Sequence, residues 1–248
     1  MIKLGAQLYT VRQSLINDEE RKQILSDIKE IGYDTVQLFG DMELVERCAK
    51  SAVEQGLEIS GILTDLDICQ NNKQKLFELC KKYGIFDVGV SSVLKECRDI
   101  EAYVARINAF AKEASNAGLT FSYHNHGHEF IRLDDGKSSM EHFFNEFDKT
   151  VFFMPDTYWI HDGGCDVRHF LDKTRSRVRI LHLKDMKRIE TGHTFTEVGN
   201  GNLYMKGIIK TALDSGIENF VVEQDICEKA PIESLKTSYK NIKDILEI

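Results

Sequence analysis

Short apolar and β-branched runs recur along the 248-residue chain, separated by longer stretches in which apolar residues return every three or four positions. In the first half the runs are Ile2–Tyr9 (IKLGAQLY), Asp34–Gly40 (DTVQLFG), Leu57–Leu63 (LEISGIL) and Phe86–Ser92 (FDVGVSS). In the second half they are Leu119–His124 (LTFSYH), Val151–Asp156 (VFFMPD), Val178–Asp185 (VRILHLKD) and Glu218–Asp225 (ENFVVEQD). Their length and their Val, Ile and aromatic content predict strands. The seven steps from the first to the eighth average about 31 residues, the size of one strand–helix unit.

The intervening stretches predict helices. Glu20–Ile31 places Ile24, Leu25, Ile28 and Ile31 on one face and stops at Gly32. Ala102–Ala117 groups Ile107, Phe110, Ala111 and Ala114 before Gly118, and Leu203–Ser215 ends at Gly216. A glycine at that point accepts the left-handed backbone of a tight helix-to-strand loop. Ile232–Ile248 reads as the closing helix. Strands that alternate with helices in this way predict an α/β protein, most simply a single (β/α)8 TIM barrel over residues 1–248. An open doubly wound sheet usually carries a glycine-rich phosphate turn, and neither GxGxxG nor GxxxxGK[ST] occurs.

Barrel chemistry sits at the C-terminal ends of the strands, so that rule selects the candidate residues. The fifth strand ends in His124, followed by Asn125, His126, His128 and Glu129. The sixth ends in Asp156, the seventh carries His182 with Lys184 and Asp185, and the eighth ends in Glu223, Gln224 and Asp225. Four consecutive strands thus each end in a metal-ligand type. A single His or Asp there would be read as a cap or turn residue; four in a row point to a metal site. Two imidazoles and two carboxylates suit Mn, Zn, Co or Fe in the +2 state better than Mg or Ca. Trp159 offers an aromatic face near the same strand ends, although a lone Trp is at least as often a packing residue.

Composition narrows the partners. Forty acidic against 32 basic residues leave a formal charge of −8, a poor basis for binding nucleic acid. Six scattered cysteines without a CxxC pair read as reduced, structural thiols. No apolar run reaches the roughly 18 residues of a membrane span, and the N-terminus shows no signal-peptide pattern, so a cytoplasmic location is expected.

In its motifs the chain resembles the sugar phosphate isomerase/epimerase family, the xylose-isomerase-like TIM barrels. The resemblance rests on GAQLYTVR (Gly5–Arg12), YHNHGHEF (Tyr123–Phe130), PDTYW (Pro155–Trp159), LHLKD (Leu181–Asp185), EVGNGN (Glu197–Asn202), VEQD (Val222–Asp225) and SLKTSYKNIK (Ser234–Lys243). It implies one divalent metal ion held by His124, Asp156, His182 and Glu223, with catalytic roles for Glu223, Glu129, His124 and Lys184. Substrate contacts fall to Gln7, Tyr9, Asn125, His126 and Trp159. Many epimerases of this barrel use a Glu as the fifth-strand ligand, so Glu129 is the rival of His124 for that place. The chain departs from the family at Gln37, where relatives often have Glu, at Leu63, where His is common, and at Asn202, where Asp is frequent.

The implied chemistry is proton abstraction next to the carbonyl of a keto-sugar, through a metal-stabilised enediolate. Proton return would give isomerisation or epimerisation; loss of a β leaving group would make the enzyme a lyase or dehydratase on a keto-sugar, inosose or 3-keto-glycoside. The expected partner is a small-molecule sugar. A phosphodiesterase of the apurinic-endonuclease type would need further His ligands on the second and third strands, where Gln37 and Leu63 stand. A sugar-binding barrel without catalysis is the alternative outside enzymology. No sequence signal marks an oligomer interface, although shell helices could pack against a second copy.

Overall fold

The computed structural model describes residues 2–92 and 99–247. Cys97, and the outermost residues of the predicted domain, Met1 and Ile248, lie outside the described residues.

Strands β1 (Lys3–Gln7), β2 (Thr35–Phe39), β3 (Glu58–Thr64), β4 (Asp87–Ser91), β5 (Thr120–His124), β6 (Val151–Met154) and β7 (Ile180–Leu183) come first. A hairpin of β8 (Asp185–Ile189) and β9 (Gly192–Thr196) follows, and then β10 (Asn219–Val222). Around them run α1 (Asp18–Ile31), α2 (Met42–Glu54), α3 (Leu66–Asn71), α4 (Lys73–Tyr83), α5 (Ile100–Asn116), α6 (Ser139–Glu146), α7 (Thr157–Asp162), α8 (Val167–Thr174), α9 (Met205–Asp214) and α10 (Pro231–Leu246). The ladder order is β6-β5-β4-β3-β2-β1-β10-β7, all pairs parallel. The circle closes between β6 and β7 through two isolated bridges, Phe153–Val178 and Asp156–His182, with the His182 N–H donating to Pro155 O at 2.9 Å. The predicted (β/α)8 TIM barrel is therefore the fold.

The amphipathic helices bury one face against the outside of the barrel. In α1, Ile24, Leu25 and Ile28 enter this shell; Asn17 caps the first turn, and Gly32, at φ 114°, ends the last. A side chain at that φ would be strained, which is why the helix stops where the glycine stands. Inside the barrel the apolar filling is small: Met154, Ile180 and Val221, with Leu63 packed against them. Gly89 makes room for it, since a Cβ there would lie 2.9 Å from Met154 Cε.

The predicted strands run past the observed ones. Leu8 and Tyr9 belong to a 3₁₀ turn, Leu8–Leu15, and the seventh strand stops at Leu183. The reason at the second place is Asp185. Its carboxylate accepts from the backbone N–H groups of Met186, Gly199, Gly201 and Leu203, and so pulls the chain out of the barrel and ties down the EVGNGN loop. The β8–β9 hairpin that follows was not expected, because its residues are mostly polar and partly exposed and show no one-sided apolar pattern.

At the N-terminal end of the barrel, Asp87 is fully buried. Its Oδ2 accepts from Ser122 Oγ at 2.6 Å, and its Oδ1 has no hydrogen-bond partner. Burial pushes this carboxyl up to about 7, with the Ser122 hydroxyl and the charge of Arg179 opposing. Cys48, Cys69, Cys80, Cys165 and Cys227 are free thiols, as the sequence predicts. Among the described residues, no helix is long and apolar enough to cross a membrane.

Candidate metal centre and its cavity

Four strand ends deliver the central cluster. His124 is the last residue of β5, Asp156 lies two residues beyond β6, His182 is within β7, and Glu223 directly follows β10. One ligand atom of each lies within 4.8 Å of the others, and all four side chains are buried. His124 Nε2 is 3.5 Å from Asp156 Oδ2 and 3.9 Å from Glu223 Oε2; His182 Nδ1 is 3.1 Å from the same Glu223 oxygen.

The two oxygens of Asp156 divide their work. Oδ1 caps α7, accepting from the backbone N–H groups of Tyr158 and Trp159 at 2.9 and 3.1 Å. Oδ2 turns to the cluster and has no hydrogen-bond partner, and neither ring nitrogen of His124 has one. A buried polar atom left unpaired costs about 1–3 kcal/mol. Burial, reinforced by the charge on His182, holds the His124 pKa well below its ordinary value and keeps the ring neutral, as metal ligation requires. A divalent cation between these atoms would satisfy the unpaired atoms of both residues. The residues fit the group.

Lys184, one residue past β7, is almost completely buried. Its Nζ lies 2.7 Å from Asp225 Oδ1, 3.3 Å from Glu223 Oε2 and 3.4 Å from Asp156 Oδ2. Burial alone would lower its pKa, but the three carboxylates outweigh burial and hold it above the usual lysine value. Glu223 shows the reciprocal effect: burial opposes ionisation, and Lys184 with His182 overcomes it, so the carboxyl stays well below its ordinary range. Asp185, next in the chain, is not among the partners of Lys184, because its carboxylate is occupied by backbone N–H groups.

Glu129 does not join this cluster. It is buried, and its carboxylate accepts from Tyr123 OH at 2.7 Å, Ser92 Oγ at 3.1 Å and the His126 N–H at 2.8 Å. That geometry makes it a brace for the chain leaving β5 and leaves His124 as the fifth-strand member of the candidate cluster. His126 follows, its ring 5.1 Å from His124 and stacked on His128 at 5.4 Å. Burial, then the neighbouring His124, pushes His126 down to about 3. Asn125 is engaged with the backbone, its Oδ1 accepting from the Asp156 N–H at 3.0 Å, so it orients Asp156.

A cavity of about 340 Å³ opens over the cluster. His124, His126, Lys184 and Glu223 form one side; Tyr9, Phe39 and Leu63 form the other. The Tyr9 and Phe39 rings meet edge-on at 5.2 Å, and the Arg12 guanidinium covers Tyr9 at 4.2 Å. Trp159 stands behind the polar side, 5.6 Å from His126 and 5.2 Å from the Lys184 ammonium. Gln7 is wholly buried beneath the cavity, its amide bonded to Gln37 and to the Tyr9 backbone. Sequence reasoning passed over the Gln7–Gln37 contact and gave Asp225 no role. The former requires knowing that β1 and β2 pair Gln7 with Gln37 across the ladder; the latter was visible only as a third polar residue after Val222.

The xylose isomerase-like TIM barrel family model matches residues 25–245. The chain belongs to that family. Among solved structures, this xylose isomerase-like barrel is similar to a sugar phosphate isomerase/epimerase from Parabacteroides distasonis, with 22% identity, 98% and 93% of the two chains covered and a TM-score of 0.78. It is also similar to the IOLI protein with a binding zinc atom, at 15% identity, 99% and 98% coverage and a TM-score of 0.74. A third similar structure is the probable 3-DHS dehydratase AsbF of Bacillus anthracis, at 16% identity, 98% and 99% coverage and a TM-score of 0.73. At these identities the likeness establishes the shared fold. A comparison with curated proteins finds none that matches this xylose isomerase-like chain.

Proposed function

We propose that the protein is a divalent-metal-dependent isomerase or epimerase that acts on a keto-sugar by removing a proton next to the carbonyl. The observation that carries this reading is the set of unpaired, buried atoms on His124 and Asp156, facing His182 and Glu223 at the floor of the sugar-sized cavity. A bound Mn, Zn, Co or Fe ion would supply positive charge beside the carbonyl and neighbouring hydroxyl oxygens, where negative charge develops as the proton leaves.

The chain's own residues do the rest. Glu223, held ionised by Lys184 and His182, is the proton acceptor. Lys184 stays protonated and keeps Asp156, Glu223 and Asp225 from repelling one another. Asn125 and the first turn of α7 fix Asp156. His126, backed by Trp159, closes one wall, while Tyr9, Phe39 and Leu63 offer an apolar face to the C–H side of a sugar. The aspect of the cavity opposite Glu223 bears directly on stereochemistry. Inversion needs a second base on the face of the substrate away from Glu223, and among the described lining residues the other carboxylates are Asp225, two residues on and paired with Lys184, and the exposed Asp65. This favours proton return from one face, as in aldose–ketose isomerisation. It also supports a second reading, a lyase that expels a β-substituent with Glu223 as its single base.

Deuterium exchange tests the proposal. Candidate keto-sugars are incubated in D₂O with metal-loaded protein and followed by NMR. Exchange at the carbon beside the carbonyl is expected, and it should fall by a factor of about 10²–10⁴ in Glu223→Gln. Binding of a keto-sugar without exchange in the metal-loaded wild type would establish the non-catalytic barrel instead. Metal analysis supplies a second readout: His182→Ala should lose the ion, and Glu129→Gln should retain it.

A further inference from the structure

His182 has an acceptor within reach of each ring nitrogen: Glu223 Oε2 is 3.1 Å from Nδ1 and Gln37 Oε1 is 2.7 Å from Nε2. A neutral imidazole carries one proton, and its position decides whether Nδ1 can offer a lone pair to the cluster. Left to Glu223 alone, the proton would sit on Nδ1 and donate to the carboxylate, which would take His182 out of the ligand set.

A chain of two side-chain amides fixes the opposite nitrogen as a donor. The backbone N–H of Tyr9 can only donate, and it donates to Gln7 at 3.2 Å. The Gln7 atom facing it is therefore the carbonyl oxygen, and the amide nitrogen is at the other end. That nitrogen lies 2.6 Å from the Gln37 side chain, so the Gln37 atom it meets must accept and is Oε1. The same Oε1 faces His182 Nε2, and an oxygen without hydrogen requires Nε2 to be the donor. The Gln37 amide nitrogen points the opposite way, to Met154 Sδ at 3.3 Å, a weak but compatible acceptor. Gln7, Gln37 and His182 are all 0% exposed, so water does not reach in to reverse the order.

We propose that Gln7 and Gln37 form a positioning relay that keeps a proton on His182 Nε2, so that Nδ1 is the nitrogen left facing Glu223, Asp156 and His124 to take a cation there. The importance of this arrangement for ligation rests on the metal-dependent reading above; the tautomer itself does not. Ligating histidines generally depend on a donor contact from their other nitrogen, and here it comes through two neutral amides anchored on the main chain. Gln37 thereby acquires a reason for being an amide. A glutamate there would accept from His182 equally well but would place another negative charge in a fully buried position.

The test is a long-range ¹⁵N–¹H correlation spectrum of His182 at about pH 8.5, two units above the ordinary histidine pKa, on chelator-treated full-length protein. The expected result is a protonated Nε2 in the metal-free protein, with Nδ1 unprotonated once zinc is added. An unprotonated Nε2 overturns the relay. Gln7→Met, a change of similar volume, removes the donor that orients Gln37. In this variant a population with an unprotonated Nε2 should emerge, and the zinc affinity measured by competition with a chromophoric chelator should fall about 10–100-fold. An unchanged Nε2–H tautomer in folded Gln7→Met protein also overturns the relay. If the tautomer is as stated but wild-type protein takes up no zinc or manganese, the relay stands and the metal-dependent function falls.

Discussion

The two ends of the barrel each bury an aspartate completely, and the two are treated differently. At the N-terminal end, Asp87 has a single hydroxyl donor on one oxygen and none on the other, and burial pushes its carboxyl up to about 7. At the C-terminal end, Asp156 has two backbone donors on one oxygen and leaves the other facing two imidazoles, a glutamate and a lysine. Burial raises its pKa as well, but the Lys184 charge works against the rise. An unpaired oxygen near one hydroxyl is a cost to the fold. An unpaired oxygen within a ring of ligand-type atoms is a place for a cation. Burial alone does not distinguish structure from function; the company of the unpaired atom does.

The sharpest way to break this contrast is to remove chemistry at one end without moving the other. Glu223→Gln should lower the exchange rate by a factor of about 10²–10⁴ with little change in thermal midpoint, since the two side chains match in size. Lys184→Met should act on stability: in chelator-treated protein it strips three carboxylates of their shared counter-charge, and a loss of about 3–5 kcal/mol in denaturant unfolding is expected. Loading with zinc should restore part of that loss, because the ion replaces the missing positive charge.

The opposite end should respond to pH. The folded state binds the Asp87 proton more tightly than the unfolded chain, whose carboxyl titrates near 3.9. Its contribution to stability is therefore full below the unfolded value and is lost as pH rises toward about 7, with a slope of at most about 1.4 kcal/mol per unit. Asp87→Asn should flatten that dependence and leave the exchange activity within about twofold, because the substitution lies at the end of the barrel away from the catalytic loops. Smallest of all, Lys3→Met should cost under about 1 kcal/mol: its pair with Glu58 is exposed and screened.

The contrast also shows what could be read from the chain before folding. The rule that barrel chemistry gathers at strand C-termini was enough to select His124, Asp156, His182 and Glu223, since each follows a short apolar run. Glu129 looked equally eligible by that rule, and only the turn after β5, with Tyr123, Ser92 and the His126 N–H converging on it, shows it committed elsewhere. Gln37 read as a missing glutamate. Its partners Gln7, Met154 and His182 are 30, 117 and 145 residues away, brought together by ladder register and barrel closure rather than by any local pattern. Asp185 read as the end of the seventh strand for a similar reason: three of the four backbone N–H groups that hold it come from a loop 14 to 18 positions further on.

The joint between β6 and β7 has a consequence for how the molecule opens. Every other neighbouring pair in the barrel shares a ladder, that of β2 and β3 with a register shift after Val36, whereas these two meet through isolated bridges, one of them between Asp156 and His182. An ion ligated by both residues would act as a clasp across the least-stitched edge of the cylinder, and the strength of closure would then be set by mass action of the ion as well as by hydrogen bonds. Amide exchange at Ile180–Leu183 and Val151–Met154 becomes a gauge of occupancy: fast when the clasp is undone, slow when it is shut, with the far side of the cylinder around β2 and β3 hardly affected.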